Sequence, residues 1–599
     1  MNIRSPLFLP LVLVFLVAAC QPASETDDAP IELPPLPESE SETAEDFDLL
    51  AEAVIEELLA LSPEWAIRQG RYENAGQTTI PDAKYRQQTL AFIDSALSRL
   101  DSFDPDSLPV GQRTDFDLLN NQLVSMRWYQ EEFQNWRWMP SNYNVASTLS
   151  VLLNTEFASL EERLDLILSR LEAVPSYYRA AQNNIERPTM EHTELAISQS
   201  RGTLGVLDDI AEIISQAEMS QQQSELFNDH LQAAADAVSE WIEWLESEYA
   251  GLADSDAFRP YRIGADLYEQ KFAYDIQSDL SAADLYQRAL AEKERLHQEM
   301  NELALELWPE YFPDEPAPEG RLDRIARLID HLSDRHVALE GFVEEIRRQI
   351  PELEAFVREH DLIDQDPDKP LVVRETPDYM RGTGAIASVS APGPFNPGAE
   401  TYYNVTPLDY YGSELAASYL REYNHWILQI LNIHEAIPGH YTQLLHANRS
   451  PSLVKSLFGN GAMIEGWAVY AERMMLEEGW GDHEPELWLM HGKWLLRVVH
   501  NTILDYSVHV LGMERDVAIE MMRQEAFQED SEAIQKWRRI TLTQVQLTSY
   551  FAGFAEIYDL REQFKETLGD EFDLKVFHND LLSFGSAPVS TIAELMAEY

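Results

Sequence analysis

The stretch 434–440 reads HEAIPGH, and the expected fold and chemistry of the chain follow from it. It places a carboxylate, Glu435, beside one imidazole, His434, and brings a second imidazole, His440, six residues after the first. A further carboxylate, Glu465, follows in the apolar run MIEGWAVYAE. Two histidines and one carboxylate are a common ligand set of catalytic zinc sites that keep one position open. Glu435 then stands where a metal-dependent hydrolase would have its general base.

The spacing of the two histidines does not fit a regular helix. In the common zinc motif HExxH, histidines four residues apart share one helical face. Six residues at about 100° each place His440 about 240° from His434, close to the opposite side. Pro438 lacks an N–H, and its ring clashes with the carbonyl of His434, four residues earlier. Gly439 tolerates the unusual backbone angles that follow, so we expect a broken or widened turn that brings both rings together.

Glu465 strengthens a pattern that is weak by itself, because histidine and glutamate are ordinary residues of helix surfaces. Its apolar neighbours Trp467, Val469 and Tyr470 predict that Glu465 is at least partly buried, and a buried carboxylate needs a partner. A salt bridge would provide one, and a metal ion would serve as well. Glu472 lies on the same helical face and is a candidate to orient a ligand histidine from behind.

Three stretches carry a resemblance to a known family: HEAIPGHYTQ at 434–443, EGWAVYAE at 465–472 and FHNDLLSFGSAPVSTIAELM at 577–596. They resemble the bacterial family called domain of unknown function 885, from about residue 46 to the end. That family looks like a zincin-type metallopeptidase fold, mostly helical and distantly similar to carboxypeptidase Taq. The resemblance therefore implies a mainly α, zincin-like domain.

The resemblance also implies one zinc ion per chain, bound by His434, His440 and Glu465, with Glu435 as the general base. Other divalent transition metals suit the same ligands. Zinc would lower the pKa of its bound water towards about 7. Glu435 would take the proton as the water attacks a carbonyl, and would pass it to the leaving amine.

Two further stretches are similar to segments of the family. Residues 497–509 (RVVHNTILDYSVH) resemble a helix with an arginine, an aspartate and a histidine. Residues 539–550 resemble a segment whose usual form has Pro-Gly-Gln before a tyrosine, whereas this chain has QVQ at 544–546. The shape of that loop therefore stays open. The candidate residues of the two stretches are Arg497, Asp505, His509, Arg539 and Tyr550.

These residues have candidate roles around the expected metal. His509 and Tyr550 are candidate hydrogen-bond donors to the oxyanion of the reaction, although each is equally compatible with a hydrogen-bonded core position. Arg497 and Arg539 are candidates to bind a substrate carboxylate through paired hydrogen bonds, or to form structural ion pairs in so acidic a chain. Asp505 is expected to support these groups from behind.

Residues 1–19 read as a bacterial lipoprotein signal peptide, with Arg4 as the positive charge before a short apolar core. The segment ends in VAAC at 17–20, which resembles a lipobox, and Cys20 is the only cysteine of the chain. We expect lipidation of Cys20 and a location in the cell envelope. Gln21 resembles the outer-membrane sorting pattern, so the protein is expected to face the periplasm. No long apolar run follows, so the lipid is the expected membrane contact.

Residues 20–45 are rich in proline, serine and acids, which predicts a flexible tether. Amphipathic helical patterns fill most of 46–360, and 46–599 is expected to be one mainly helical catalytic domain. The net charge is −60, from 104 acidic and 44 basic residues. Such a surface repels phosphate backbones, so nucleic acid is not an expected partner.

Three β-prone pieces between 371 and 406 predict a small sheet just before the metal helix. Zincin-like peptidases commonly bind an extended substrate along a sheet edge. Tyr402, Tyr403 and Asn404 are therefore candidate substrate contacts on that edge. A structural hairpin that covers the core explains the same pattern.

The expected function is that of a zinc-dependent peptidase of the cell envelope, acting on peptides or small amides. Two alternatives stay open. One is a metal-dependent hydrolase of non-peptide amides or esters, and the other is a non-catalytic envelope lipoprotein that binds a ligand and keeps a metal site.

Overall fold

The structure, a computed structural model, describes residues 42–598 apart from 254–257, 367–368, 370, 378–379, 382–385 and 451. The predicted signal peptide, Cys20 and most of the predicted tether lie outside the described residues, and these interpretations stay predictions. The last four tether positions were expected to be irregular, but they form the first turn of a helix that begins at Glu42. None of the described helices has the length and apolarity needed to cross a membrane.

Helices make up most of the described chain, as predicted. The first group comprises α1 (Glu42–Leu61), α2 (Pro63–Arg68), α3 (Ala83–Leu100), α4 (Val110–Trp128), α5 (Asn135–Trp138), α6 (Ala146–Asn154), α7 (Leu160–Asn184), α8 (Met190–Gln216), α9 (Gln221–Ala253), α10 (Ala265–Asp275), α11 (Ala282–Tyr311), α12 (Arg321–Ser333) and α13 (Phe342–Glu359). The second group follows the sheet and comprises α14 (Ser413–Glu422), α15 (Ile427–Glu435), α16 (His440–Ala447), α17 (Leu453–Leu457), α18 (Gly461–Glu477), α19 (Pro485–His509), α20 (Arg515–Glu525), α21 (Asp530–Leu542), α22 (Ser549–Leu568), α23 (Leu574–Ser583) and α24 (Val589–Glu598).

A three-stranded sheet lies between the two groups of helices, as the sequence predicted. Its strands are β1 (Leu371–Glu375), β2 (Ala387–Ser390) and β3 (Thr401–Val405). The order is β1-β3-β2, with β3 parallel to β1 and antiparallel to β2. The prediction that β3 forms a free edge for substrate is therefore wrong, because both sides of β3 are hydrogen-bonded to neighbours. The last strand of the segment inserts between the two earlier ones.

Two large apolar cores organise the helices, and a smaller third cluster joins α19, α20 and α21. The larger extends from Phe47 of α1 to Met596 of α24 and includes buried residues of α15, α18 and α19. The second is formed within α6–α9, around Trp241 and Tyr178. Close packing of the larger core fixes the backbone of the helices that carry the candidate metal ligands.

Helices α18 and α22 cross at two glycines. A Cβ on Gly466 would lie 2.3 Å from the carbonyl carbon of Gly553, and one on Gly553 would lie 1.7 Å from the carbonyl oxygen of Ala462. Only glycine permits so close an approach of two backbones. The crossing brings Glu465, next to Gly466, towards Tyr550, one turn before Gly553.

Candidate metal centre

The helix that begins the HEAIPGH stretch breaks between its two histidines. Helix α15 ends at Glu435 and α16 begins at His440, and the Ile437–Pro438 peptide bond is cis. The Gly439 amide donates to the Ile433 carbonyl at 3.0 Å. A Cβ on Gly439 would lie 1.9 Å from the His434 carbonyl oxygen. The predicted break is confirmed, and it places the two imidazole rings 4.7 Å apart, centroid to centroid.

Glu465 joins the two histidines from α18. Its Oε2 lies 3.4 Å from His440 Nε2 and 3.8 Å from His434 Nε2. One candidate ligand atom from each of the three residues lies within 4.8 Å of the other two. Among the described residues this is the one group of three or more such side chains. The sequence prediction that these three side chains come together is confirmed.

The ligand set fits a divalent metal such as zinc. Glu465 Oε2 is buried and has no hydrogen-bond partner among the described residues, and a buried carboxylate oxygen without a partner is costly. Two imidazole nitrogens and one carboxylate oxygen are the donors that catalytic zinc prefers. A cation between these three atoms would satisfy all of them.

Glu472 and two tryptophans hold the loop that carries His434 and His440. Glu472 Oε1 lies 2.6 Å from His434 Nδ1 and accepts a hydrogen bond from Trp494 Nε1 at 2.9 Å. Trp467 Nε1 donates to the Pro438 carbonyl at 2.8 Å. The predicted contact of Glu472 with a ligand histidine is thus present. Sequence reasoning missed Trp494, for which no motif gave a signal.

Burial and mutual charge shift the pKa values of the site. Burial lowers the pKa of His434 to about 3, so its imidazole is neutral and able to bind a metal. Burial opposes ionisation of Glu465, but the close approach of His440 Nε2, at 3.4 Å, and the charges of His440 and His434 outweigh it and lower the pKa of Glu465 to about 2. Burial lowers the pKa of His440, but the neighbouring Glu465 raises it by more. The net result is a pKa above the ordinary value of a histidine.

Glu435 has a different environment from Glu465. Burial raises the pKa of Glu435 to about 7, against the opposing charge of His440. A carboxylate with a pKa near neutrality both accepts and returns a proton readily. Two acids near one centre therefore have separated pKa values, a pattern typical of distinct chemical roles.

Tyr550 and Arg539 lie beside the three candidate ligands. The Tyr550 ring is nearly parallel to the His434 imidazole, at a centroid distance of 6.4 Å. Burial raises the pKa of Tyr550 to about 12, although the Arg539 charge opposes this. Arg539 Nη2 donates to the Tyr550 hydroxyl and to Gln546 Oε1, each at 2.9 Å. Tyr550 therefore remains a neutral hydroxyl at the site.

His509 and Asp505 lie in a different set of contacts. His509 Nε2 contacts the carbonyls of Ile540 and Thr543 at 2.9 and 3.1 Å. Asp505 Oδ2 accepts from the Val545 amide at 2.7 Å and from the Tyr268 hydroxyl at 2.6 Å. The described contacts of His509 involve none of the three candidate ligands. The structure thus opposes the oxyanion role predicted for His509, because its donor nitrogen already binds backbone carbonyls.

Two residues predicted to bind substrate, Arg497 and Tyr403, also have partners within the protein. Arg497 pairs with Glu532 at 2.7 Å, which favours the structural alternative. Tyr403 is fully buried, and its hydroxyl donates to Asn432 Oδ1 at 2.9 Å.

Tyr402 and Asn404 are occupied by other parts of the sheet. The Tyr402 ring lies under the Arg374 guanidinium at 3.7 Å, and Asn404 accepts from Arg374 Nε at 2.7 Å. Tyr402, Tyr403 and Asn404 stabilise the central strand, so the prediction that they line a free edge is not supported by their contacts.

Comparison with known proteins gives the family. The model of a family described as "Bacterial protein of unknown function (DUF885)" matches residues 63–596. The chain belongs to this family. The resemblance found in the sequence is therefore confirmed at the level of the family.

Two solved structures are similar to this chain. A "putative lipoprotein of unknown function" from Shewanella oneidensis is 51% identical, with a TM-score of 0.82, over 92% of this chain and 99% of that chain. A "putative lipoprotein" from Colwellia psychrerythraea is 18% identical, with a TM-score of 0.77, over 93% and 99%. At that identity the second likeness shows the fold alone. The comparison with curated proteins gave no match.

Proposed function

We propose that this protein is a zinc-dependent hydrolase of peptide bonds with a zincin-like centre. The observation that carries the proposal is the convergence of His434 Nε2, His440 Nε2 and Glu465 Oε2 beside Glu435, a buried acid with a pKa of about 7. Structural zinc sites usually have four protein ligands and no open position. Such a site would have no need of Glu435 beside the ligands.

His434, His440 and Glu465 would hold the metal in this proposal. Bound there, zinc would act as a Lewis acid towards the scissile carbonyl and would acidify water at its open position. Glu472 keeps His434 oriented. Glu472 Oε1 lies 2.6 Å from His434 Nδ1 and already accepts from Trp494 Nε1, so it is placed to accept a hydrogen bond from a proton on His434 Nδ1. With that proton on Nδ1, Nε2 presents its lone pair to the centre.

Glu435 and Tyr550 would carry the proton transfer and the charge stabilisation. Glu435 accepts a proton from the attacking water and returns it to the leaving amine, a role that suits its pKa. Because Arg539 donates to the Tyr550 oxygen, the Tyr550 O–H is directed away from Arg539, to the side on which Glu465 lies. That hydroxyl is our candidate donor to the oxyanion of the tetrahedral intermediate.

We further propose that the protein acts in the cell envelope as a lipoprotein, anchored through Cys20 in the outer membrane and facing the periplasm. The lipobox-like sequence before Cys20 supports this. The similar proteins of Shewanella oneidensis and Colwellia psychrerythraea bear the name "putative lipoprotein", which is in accord with it.

Metal content measured by plasma mass spectrometry tests the proposal first. Purified wild-type protein and His434→Ala are compared after zinc is added and the excess is removed. We expect about one zinc per chain in the wild type and none in the variant. Absence of metal from both proteins would overturn the proposed function and favour a non-catalytic binding protein.

A further inference from the structure

Arg539 differs from the other arginine predicted to bind substrate, because no carboxylate contacts it directly and its charge acts on Glu465 and Glu532 only at longer range. No carboxylate oxygen of the described residues lies within the 4.0 Å that defines an ion pair, whereas Arg497 is paired with Glu532 at 2.7 Å. In a chain with 104 acidic and 44 basic residues, a half-buried arginine without such a partner is notable.

The remaining donors of the Arg539 guanidinium are not fully buried. Nη2 is used by Gln546 and Tyr550, while Nε and Nη1 make no hydrogen bond with described residues and are not among the buried unpartnered atoms. An arginine offers donors in a planar fork that matches the two oxygens of a carboxylate. The open donors of Arg539 therefore have the chemistry of a carboxylate-binding site.

The segment that carries Arg539 is held rigidly by other helices. His509 Nε2 binds the Ile540 and Thr543 carbonyls, and His192 Nε2 of α8 binds the Leu542 carbonyl at 3.0 Å. Asp505 binds the Val545 amide at 2.7 Å. Preorganisation of this kind reduces the cost of binding a ligand.

The amide fixed by Asp505 belongs to an unusual residue. Val545 is fully buried and has a φ of +70°, which β-branched residues rarely adopt. Its backbone conformation is imposed by the surrounding contacts rather than by its own preference. Asp505, His509 and His192 thus act as positioning residues for the segment that presents Arg539.

We infer that Arg539, braced by Gln546 and Tyr550, forms a subsite for the free C-terminal carboxylate of a peptide, so that cleavage occurs near the C-terminus of the substrate. The inference rests on the proposed function and names how its substrate is held. Tyr550 connects Arg539 with the candidate metal centre, because its hydroxyl accepts from Arg539 while its ring faces His434. A substrate carboxylate at Arg539 would therefore be anchored beside the centre that binds the scissile bond.

Binding, rather than turnover, tests the subsite. The Glu435→Gln variant is immobilised with zinc and exposed to two N-acetylated random tetrapeptide libraries, one with free C-termini and one with C-terminal amides. Retained peptides are measured by mass spectrometry, and the strongest is synthesised in both forms for calorimetry. We expect the free acid to bind about 10- to 100-fold more tightly than the amide, the usual gain from a charge-assisted pair of hydrogen bonds.

Matched variants assign the preference to one side chain. Arg539→Met, in the same background, is expected to abolish the difference between acid and amide. Arg538→Met alters the exposed neighbouring arginine and is expected to keep it. Arg539→Lys preserves the charge without the fork, so it is expected to keep the fold and to reduce the preference at least threefold. Melting temperatures compare the folding of all variants.

Three results would overturn the subsite: equal retention of acids and amides, a preference that survives Arg539→Met, or retention of neither library. The readout also separates this inference from the proposed function. A preference for free acids in a protein that binds no zinc would preserve the subsite and overturn the hydrolase alone.

Discussion

Glu472 Oε1 lies 2.6 Å from His434 Nδ1, so a fully buried carboxyl group fixes the orientation of a candidate metal ligand from the side of the ring away from Nε2. The same oxygen accepts from Trp494 Nε1, which fixes the carboxyl group in turn. Hydrogen bonds of this kind select which imidazole nitrogen is free to bind a metal.

Replacement of Glu472 should weaken metal binding without removal of a ligand. Glu472→Gln keeps an acceptor for Trp494 but replaces the carboxyl oxygen beside His434 Nδ1 with an amide, a weaker acceptor. We expect zinc affinity to fall about 10- to 100-fold, as measured by competition with a chromophoric chelator. Glu478→Gln, an exposed change at the end of the same helix, is the control. Equal affinities in both variants would contradict the role of Glu472.

Replacement of Glu435 should separate chemistry from metal binding. Glu435→Gln removes the proposed base but none of the three candidate ligands. We expect the zinc content to stay near that of the wild type and peptide hydrolysis to fall about 10²- to 10⁴-fold. Glu414→Gln, an exposed change in α14, should keep wild-type turnover. Unchanged hydrolysis in Glu435→Gln would exclude it as the base.

A single methyl group should disrupt the turn between the histidines. Gly439→Ala places Cβ 1.9 Å from the His434 carbonyl oxygen, so the turn must open and separate the two rings. We expect loss of zinc and a fall of about 3 kcal/mol or more in the free energy of unfolding. Gly461→Ala, where a Cβ meets nothing within 4 Å, should change it by less than about 1 kcal/mol. Full zinc content in Gly439→Ala would show that the close approach is unimportant.

His509 offers a test between an oxyanion donor and a positioning residue. In His509→Gln the amide nitrogen can still donate to the Ile540 and Thr543 carbonyls, so we expect turnover within about tenfold of the wild type. Removal of an oxyanion donor typically costs about 10²- to 10³-fold in kcat. In His509→Leu the segment loosens, and KM for a free-acid peptide should rise more than kcat falls. A large loss of kcat in both variants would favour direct catalysis.

Glu556 should make the stability of the fold depend on pH. Burial raises the pKa of this α22 carboxyl from 4.5 to about 7 in the folded state, against a hydrogen bond from Ser278. The unfolded chain therefore loses this proton first as the pH rises. Because of this group, the free energy of unfolding falls by roughly 1–3 kcal/mol as the pH rises from 4.5 to 7. Above pH 7 this loss of stability is complete.

Glu556→Gln should remove this contribution. We expect the variant to resemble the wild type in urea midpoint at pH 5 and to be more stable at pH 8. Glu566→Gln, an exposed change in the same helix, should show no such difference between the two pH values. A Glu556→Gln effect of equal size at both pH values would contradict the linkage.

The local sequence predicted several features because each depends on neighbours along the chain. Pro438 and Gly439 predicted the broken turn, since the clash of a proline ring with the carbonyl four residues earlier is a local effect. The positions of the three strands followed from short β-prone pieces. The separation of seven residues between Glu465 and Glu472 predicted that both lie on the same face of α18.

Other features depend on long-range contacts that local patterns do not contain. The insertion of β3 between β1 and β2 was not predicted, because strand order follows from how a long connection packs. The sequence alone made His509 and Tyr550 equally good candidates for the oxyanion donor. The fold then directs His509 to the carbonyls of Ile540 and Thr543 and Tyr550 to the candidate ligand His434.

The sequence by itself determined the family, the mainly helical fold and the three candidate ligands, because ligand type, helix periodicity and helix-breaking residues are properties of short segments. Only the tertiary structure decided which of two arginines keeps its charge unpaired, since that depends on Glu532 reaching Arg497 and on no carboxylate reaching Arg539. It also decided the burial that separates the pKa of Glu435 from that of Glu465. Desolvation and ion pairing arise only when distant segments pack together.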